Sequence, residues 1–466
     1  MKNLAAILLA AGKGTRMKSN TPKVLHSVAG RPMLFYPLDV LEEVKADRVV
    51  VVVGFGAGMV RASFAASKKL CFVDQTEQLG TGHAVMTATK ALKGFSGDIL
   101  ILSGDVPLIS ASTVKALIKT HRKGGKKRPA ITLVTTVLSD PHGYGRIVRD
   151  EKGAVISIVE EKDCTPLQRK ICEVNAGIYL VSSAFLAANI KKLGKINAQG
   201  EYYLTDLIRM AVGLGERVTA LTHLDHGEVM GVNNRAELAR AGRIMRERIN
   251  GRLMDSGVTI IDPAATYIDH GVKVGADTII YPGARISGNT VIGTGCVIED
   301  GAVIVDCSVG DGSTIKSHTV MESSRTGRGV SIGPLARLRP GNVIGQEARI
   351  GNFVEVKNSV MGRKAKAGHL SYIGDTTVGE DVNIGAGTVT CNYDGFKKHR
   401  TIIEDGAFIG SDSQLVAPVT IGKGAYVGSG TTVTKDVPPG ALVVSRAGER
   451  VIEGWVEKRK SKSGGK

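Results

Sequence analysis

Between Val274 and Val433 an aliphatic residue returns at every sixth position, in three runs. The first is Val274, Ile280, Ile286, Ile292, Ile298 and Ile304. The second is Ile332, Leu338, Ile344, Ile350 and Val356, and the third is Ile403, Ile409, Leu415, Ile421, Val427 and Val433. Glycine follows many of them, as at Gly275, Gly293, Gly333, Gly345, Gly351, Gly410, Gly422 and Gly428. A helix would scatter six-spaced residues over several stripes, and each internal glycine would cost it about 1 kcal/mol. Six is a multiple of two, so a strand keeps every member on one face. Short strands and tight turns repeated at this period predict a parallel β-helix, with the aliphatic residue inside. The glycine after it is expected to supply a turn with φ > 0.

The first half has another pattern. Apolar runs at 4–9, 48–53, 99–102, 130–137, 178–181 and 218–221 read as strands, with helical stretches between several of them, as at 32–44 and 110–121. Alternation of this kind predicts a doubly wound α/β sheet, whose ligands sit at the carboxyl ends of the strands. Leu238, Ala241, Met245, Ile249 and Leu253 then recur at three or four residues, which predicts an amphipathic connecting helix. The expected layout is an α/β domain over 1–231, a linker helix over 232–254, a β-helix over 255–440 and a tail over 441–466.

Composition changes this picture little. The 59 glycines suit a solenoid. A net charge of +17 invites a nucleic-acid reading, but the only sizeable basic block is the tail from Lys458 to Lys466, and no aromatic residues interleave with basic ones. Attraction for phosphorylated small molecules accounts for the charge instead. The 6 cysteines have no paired spacing, which points to reduced thiols and a cytoplasmic location. No apolar run is long enough to span a membrane, and the run at 4–11 reads as a buried first strand rather than a signal segment.

Candidate chemistry lies in loops that follow strands. Leu9, Ala10, Ala11 and Gly12 lead into Gly14 and Arg16, with Lys23 soon after. Glycines let backbone N–H groups approach a phosphate, and Arg16 and Lys23 can neutralise it. The same spacing also suits an ordinary strand-end turn. Gly54, Gly56 and Gly58 imitate a dinucleotide turn but follow the second strand and lack the full spacing, so a plain turn is expected there. Asp105, after the apolar run 99–102, suits Mg²⁺ held between protein and phosphates, although a lone strand-end aspartate is more often a cap or turn former. In the repeats, the pattern fails at 361–372 and again at 390–400, and rule-breaking in a repetitive fold points to function. The first stretch holds His369, although a solitary histidine is usually a structural or surface residue.

Leu9 to Met17 with Lys23, and Gly104 with Asp105, together with Gln75 to Gly82, Gly143 to Arg146, Glu160, Asn175, Gly200 to Asp206 and Val232 to Arg235, resemble the sugar-1-phosphate nucleotidyltransferases. With the repeats added, nearly the whole chain resembles the bacterial family of bifunctional N-acetylglucosamine-1-phosphate uridyltransferases and glucosamine-1-phosphate acetyltransferases. That resemblance implies a Rossmann-like nucleotidyltransferase domain, a left-handed β-helix and an assembly of three chains. It implies that Leu9, Ala10, Ala11 and Gly12 hold uridine and phosphate of UTP, and that Gln75, Gly80 and Thr81 read the uracil. Ser103 and Gly104 join the substrate site, with Ser103 standing where the family has tyrosine. Gly145, Glu160 and Asn175 would hold N-acetylglucosamine, and Asp105 and Asn233 would hold Mg²⁺. Arg16 and Lys23 become catalytic through positioning and charge.

In the repeats the resemblance makes His369 the base that deprotonates the amino group of glucosamine-1-phosphate. Arg339, Lys357, Tyr372 and Asn383 would bind that sugar phosphate, with Glu355 a partner for the amine or for His369. Ala386, Asn392, Tyr393, Ser411, Ser429 and Arg446 match acetyl-CoA positions, Ser429 replacing an alanine. The basic loop 397–400 is open to a CoA phosphate or to solvent alone. The product would be UDP-N-acetylglucosamine, the precursor of peptidoglycan and lipopolysaccharide. Two rivals are a single-activity pyrophosphorylase with a regulatory β-helix, and a non-catalytic subunit like the translation exchange factors of similar two-part build. His369 with Asn392 and Tyr393 argues against the first, and Arg16, Lys23 and Asp105 against the second.

Overall fold

The computed structural model describes residues 3–463 except 68, 124, 126, 127 and 447. The last residues of the basic tail, 464–466, therefore lie outside the described residues. The chain divides into two compact units, Met1–Arg246 and Glu247–Lys466, and the division falls inside helix Arg235–Asp255.

The first unit is built on a sheet of nine strands: β1 Leu4–Ala10, β2 Arg48–Val53, β3 Leu70–Asp74, β4 Asp98–Ser103, β5 Ile131–Val137, β6 Arg146–Arg149, β7 Val155–Val159, β8 Glu173–Ser182 and β9 Val218–His223. The order is β9-β5-β8-β4-β1-β2-β3, with β6 and β7 attached beside β8. β1 is parallel to β2 and β4, and β8 is antiparallel to β4 and β5. Alternate side chains serve two cores. Ala5, Ile7, Val50, Val52 and Ile101 pack on one face, and Leu4, Ala6, Leu8, Val51 and Leu100 on the other. Helix Thr81–Thr89 covers the first face through Val85 and Ala88, and helix Ala111–Arg122 covers the second through Val114 and Leu117. A sheet buried on both sides has continuous apolar strands, which is why the pattern there does not alternate.

All six expected strands are present, several of them longer than read. β3 and the β6–β7 hairpin escaped the pattern. β3 is a half-exposed edge, and β6 opens and closes on arginine. The turn at Gly54 to Gly58 leads from β2 into helix Ala57–Ser63, and a Cβ on Gly54 would lie 2.8 Å from the carbonyl oxygen of Ala11.

In the second unit, two- to four-residue strands stack into three parallel sheets of 11, 10 and 9 strands, the build of the left-handed β-helix. Ile280 pairs with Ile298, Ile332 with Ile350 and Ile409 with Val427, and every aliphatic residue of the six-period after Val274 is buried. The first coil strand, Thr259–Ile260, follows the helix directly, and Asn250 near the helix end donates to the carbonyls of Pro263 (2.9 Å) and Thr266 (3.1 Å).

Two expectations about the coil are corrected. Among the glycines that follow the aliphatic positions, only Gly333 has φ > 0. The others exist because the next coil passes too close for a side chain. A Cβ on Gly275 would stand 2.7 Å from the carbonyl carbon of Gly293, and one on Gly345 the same distance from the backbone nitrogen of Arg363. The left-handed turns come two residues later, at Asp277, Gly295, Glu347, Asp412, Gly424 and Gly430. Nor is 361–372 a break in the coil. Strands Val360–Met361, Lys366–His369 and Tyr372–Gly374 continue it, with the small Ala365 and Ala367 taking the inward places. The stretch 390–400 is a true insertion, closed by an antiparallel bridge between Tyr393 and Lys398.

Candidate active sites

β1 and β4 are neighbours at the centre of the first sheet and end at the same edge. Leu9, Ala10, Ala11, Gly12, Ser103 and Asp105 from these ends line a cleft of about 360 Å³. Lys23, Val24, Gln75, Gln78, Gly80, Thr81, Ala84 and Glu201 complete it. Most are residues singled out by sequence. Gln78 and Glu201 had been given no role, yet the Gln78 amide donates to the Ala11 carbonyl at 2.8 Å and so braces the first loop. The Gln75 amide donates to the Gly80 carbonyl at 3.1 Å. A Cβ on Gly104 would meet Leu34 Cδ1 at 2.8 Å and the Leu9 carbonyl oxygen at 3.2 Å. A wider groove of about 720 Å³, floored by Phe35, Leu38 and Phe64, holds none of the expected site residues.

Within the cleft, the Lys23 ammonium donates to the carboxylate of Asp105 and, at 3.1 Å, to Oδ1 of Asn233. The Val232 N–H donates to the Asp105 carbonyl at 2.8 Å, fixing the distant segment beside the strand end. Two hard oxygen donors from remote parts of the chain thus converge on one cation. Arg16 lies in the single turn Thr15–Met17, exposed and outside the cleft lining. Its charge still reaches Tyr144, whose hydroxyl burial pushes up, with Glu237 and Asp105 adding and Arg16 opposing.

Gly145, Glu160 and Asn175 also come together. The Asn175 N–H donates to the Gly145 carbonyl (2.9 Å), and a Cβ on Gly145 would stand 3.3 Å from Oε2 of Glu160. Burial raises the Glu160 carboxyl; the Thr205 hydroxyl, 3.1 Å from Oε1, opposes this and nearby acids add to it. The Asn175 amide donates to the buried Tyr179 hydroxyl at 2.6 Å. Tyr179 had no sequence signal of its own, and Thr205 lay within the Gly200 to Asp206 stretch without a role.

In the coil, strands Arg349–Asn352 and Lys366–His369 pair so that Asn352 lies beside His369. The register continues through Ala367–Ile384, Ile384–Ile409 and Ile409–Val427. One corner column therefore carries Asn352, His369, Ala386, Ser411 and Ser429 in successive coils, each just after a glycine. Four of these five were expected site residues. Arg446 lies in the exposed segment after the last coil strand, Leu442–Val443. His369 is exposed, and its Nδ1 is 2.6 Å from Oδ1 of Asn352.

On the adjoining sheet, Glu355 pairs with Tyr372 and Lys357 with Gly374. Arg339 donates to Oε1 of Glu355 at 3.1 Å, and among the described residues no hydrogen bond joins Glu355 to His369. Gly374 leaves room for the Tyr372 ring, which a Cβ there would meet at 2.7 Å. Asn383 pairs with Lys366. Asp375, unmarked in sequence, accepts from the amides of Asn358 (2.6 Å) and Asn392. Burial pushes its carboxyl up, but those donors and the charges of Lys357 and Lys398 prevail and hold it below the ordinary range. Lys398 of the inserted loop lies against Lys357, and that like charge lowers its ammonium. Tyr393, in the same loop, is exposed.

Family models agree with this division. A MobA-like NTP transferase domain matches residues 6–146, a GMPPB C-terminal domain 263–350, and the bacterial transferase hexapeptide repeats 400–435. The bifunctional protein GlmU of Pelobacter propionicus is 52% identical over 463 residues, covering 99% of this chain and 100% of its own. The chain belongs to the bifunctional GlmU family. The GlmU proteins of Geotalea daltonii, at 53% over 460 residues, and Heliobacterium modesticaldum, at 47% over 459, match 99% and 98% of this chain and 100% and 99% of their own. As a GlmU-family member it is a uridyltransferase and an acetyltransferase of UDP-N-acetylglucosamine synthesis, with nucleotide and acetyl-CoA substrates. Among the described residues no helix is long and apolar enough to cross a membrane.

Proposed function

We propose that the two activities divide between the cleft and the corner column. In the cleft, Leu9 to Gly12 and Gln75, Gly80 and Thr81 hold UTP, while Gly145, Glu160 and Asn175 hold the sugar of N-acetylglucosamine-1-phosphate. Its phosphate oxygen attacks the α-phosphorus in line and pyrophosphate leaves. Lys23 and Arg16 supply the positive charge that the phosphoryl group needs in the transition state. No side-chain nucleophile is required, because positioning and charge carry such a transfer. The observation that carries this reading is Lys23, shared by Asp105 and Asn233, which lie 82 and 210 residues from it in the chain.

The same two oxygens fit Mg²⁺, which takes one or two protein oxygens and leaves the rest of its shell to phosphates and water. Bound there, Mg²⁺ would neutralise charge on the phosphates.

In the column, His369 takes the proton from the 2-amino group of glucosamine-1-phosphate as it attacks the thioester of acetyl-CoA, and the CoA thiolate leaves. Arg339, Lys357, Tyr372 and Asn383 hold the sugar phosphate, Lys398 adding a second cation beside Lys357. Ala386, Asn392, Tyr393, Ser411, Ser429 and Arg446 hold the CoA. The active assembly is a homotrimer through the β-helix, whose faces expose Val291, Val343, Phe353 and Phe408. It works in the cytoplasm, in keeping with cysteines that are all free.

Chelation tests the division. EDTA is expected to stop UDP-N-acetylglucosamine formation from UTP and N-acetylglucosamine-1-phosphate, with Mg²⁺ restoring it, while CoA release from acetyl-CoA and glucosamine-1-phosphate continues. Loss of both activities, or of neither, would overturn the assignment. Sedimentation at three times the chain mass tests the assembly.

A further inference from the structure

A histidine acting as a base at one ring nitrogen must carry its proton on the other, and what fixes that choice is the hydrogen bond made by the non-reacting nitrogen. In the corner column that nitrogen is Nδ1, and its partner is a neutral amide. Oδ1 of Asn352 stands 2.6 Å from it, one coil back. The pairing is set by backbone register, since Asn352 and His369 face each other at the ends of strands Arg349–Asn352 and Lys366–His369. The glycines before them, Gly351 and Gly368, bring the two coils too close for any side chain at Gly351. Among the described residues the amide is the polar contact of the ring. The ionisable side chains of the elements around it are Arg349 and Lys366 on the same sheet and Glu355, Lys357 and Tyr372 on the next.

We infer that Asn352 is a positioning residue for acetyl transfer, accepting the Nδ1 proton of His369 and so presenting Nε2, with its lone pair, to the substrate amine. The inference rests on His369 being the base. It assigns a reason for amide rather than carboxylate at this place. A carboxylate would favour the charged imidazolium, removing the base from action over more of the pH range, whereas an amide orients the ring without that bias.

The test uses the full-length protein with Asn352→Ala and Asn352→Asp, beside His369→Ala. Asn352→Ala is expected to lower kcat for acetyl transfer by on the order of 10²-fold, as misorientation of a reacting group does. KM for glucosamine-1-phosphate should stay near wild type, and uridylyl transfer and melting should not change. Asn352→Asp is expected to regain part of the rate and to move the acid limb of the kcat profile to higher pH. The inference is overturned if Asn352→Ala keeps wild-type kcat, if its loss lies in KM alone, or if Asn352→Asp matches Asn352→Ala with an unmoved acid limb. An inactive His369→Ala beside an unimpaired Asn352→Ala would sink this inference and spare the parent reading; an active His369→Ala would sink both.

Discussion

The cleft of the first unit draws on β1, β4 and loops far apart in the chain, and its critical contact is a lysine reaching across to an acid and an amide. The corner column of the second unit draws on adjacent coils, one residue from each, at a place repeated by the backbone. The first site is concave and its carboxylate Glu160 is half-buried; the second is open and His369 is exposed. Phosphoryl transfer needs charge held in a fixed cup, which distant loops can build. Acetyl transfer needs one base and an extended grip on a long cofactor, which a linear stack provides with little further machinery.

The sharpest way to break the comparison is to remove one proposed catalytic residue from each side. His369→Ala is expected to cost acetyl transfer about 10² to 10⁴-fold, as loss of a general base does, with UDP-N-acetylglucosamine formation from supplied N-acetylglucosamine-1-phosphate unchanged. Arg16→Ala should cost uridylyl transfer roughly 10²-fold and spare CoA release. If either variant, well folded, loses both activities, the two sites are not independent.

A stability test sharpens the difference in construction. Gly345→Ala places a methyl group 2.7 Å from the next coil's backbone. Overpacking of this kind costs about 1–3 kcal/mol. Calorimetry should show the loss in the coil, and uridylyl transfer at moderate temperature should be untouched.

Much of this was legible in sequence, and the remainder has a physical explanation. The six-period survives because each short strand has an inward place that only aliphatic residues fill well, as Ile298 and Ile304 do. The first loop and Asp105 drew notice because glycines and charged residues follow apolar strands, whereas Gln75, Gly80 and Thr81 were reached only through the family resemblance. The Asn352–His369 contact was not, because nothing in a single sequence sets the register between coils, and an asparagine at a turn has many ordinary uses. The glycines were correctly noticed and wrongly explained, since φ and close approach both select glycine and composition does not distinguish them. The stretch at 361–372 looked broken because Ala365 and Ala367 fill the inward places with so little side chain.

Titration should separate the two sites in sign. Glu160 has a raised folded-state value, so its contribution to stability is present below the ordinary 4.5 and is lost as pH rises through the raised value. Glu160→Gln is therefore expected to gain stability over the wild type as pH climbs toward neutrality. Asp375 has a lowered value, so its contribution is present above the ordinary 3.8 and is lost as pH falls through the depressed value. Asp375→Asn should be the less stable protein at neutral pH, with the deficit closing in acid. Urea unfolding followed across that range reads both; the same sign at both positions would contradict the assigned environments.

The mildest perturbation is removal of one unit. A fragment ending at Arg246, where the first compact unit closes, is expected to keep uridylyl transfer within a few-fold of the intact chain and to have no acetyl transfer. An inactive but folded fragment would place part of the first site beyond that residue.

The stacked corner also has the character of a graduated rule. Neighbouring strands lie about 4.8 Å apart, so each coil is one graduation, and the residue printed on it can change without moving the marks above or below. A whole coil duplicated before Ile332 would leave the reading intact. The same coil inserted between His369 and Ser429 would slide the proposed base one graduation from the far marks, so that a cofactor seated on Ser429 would bring its thioester up one strand spacing short of the histidine.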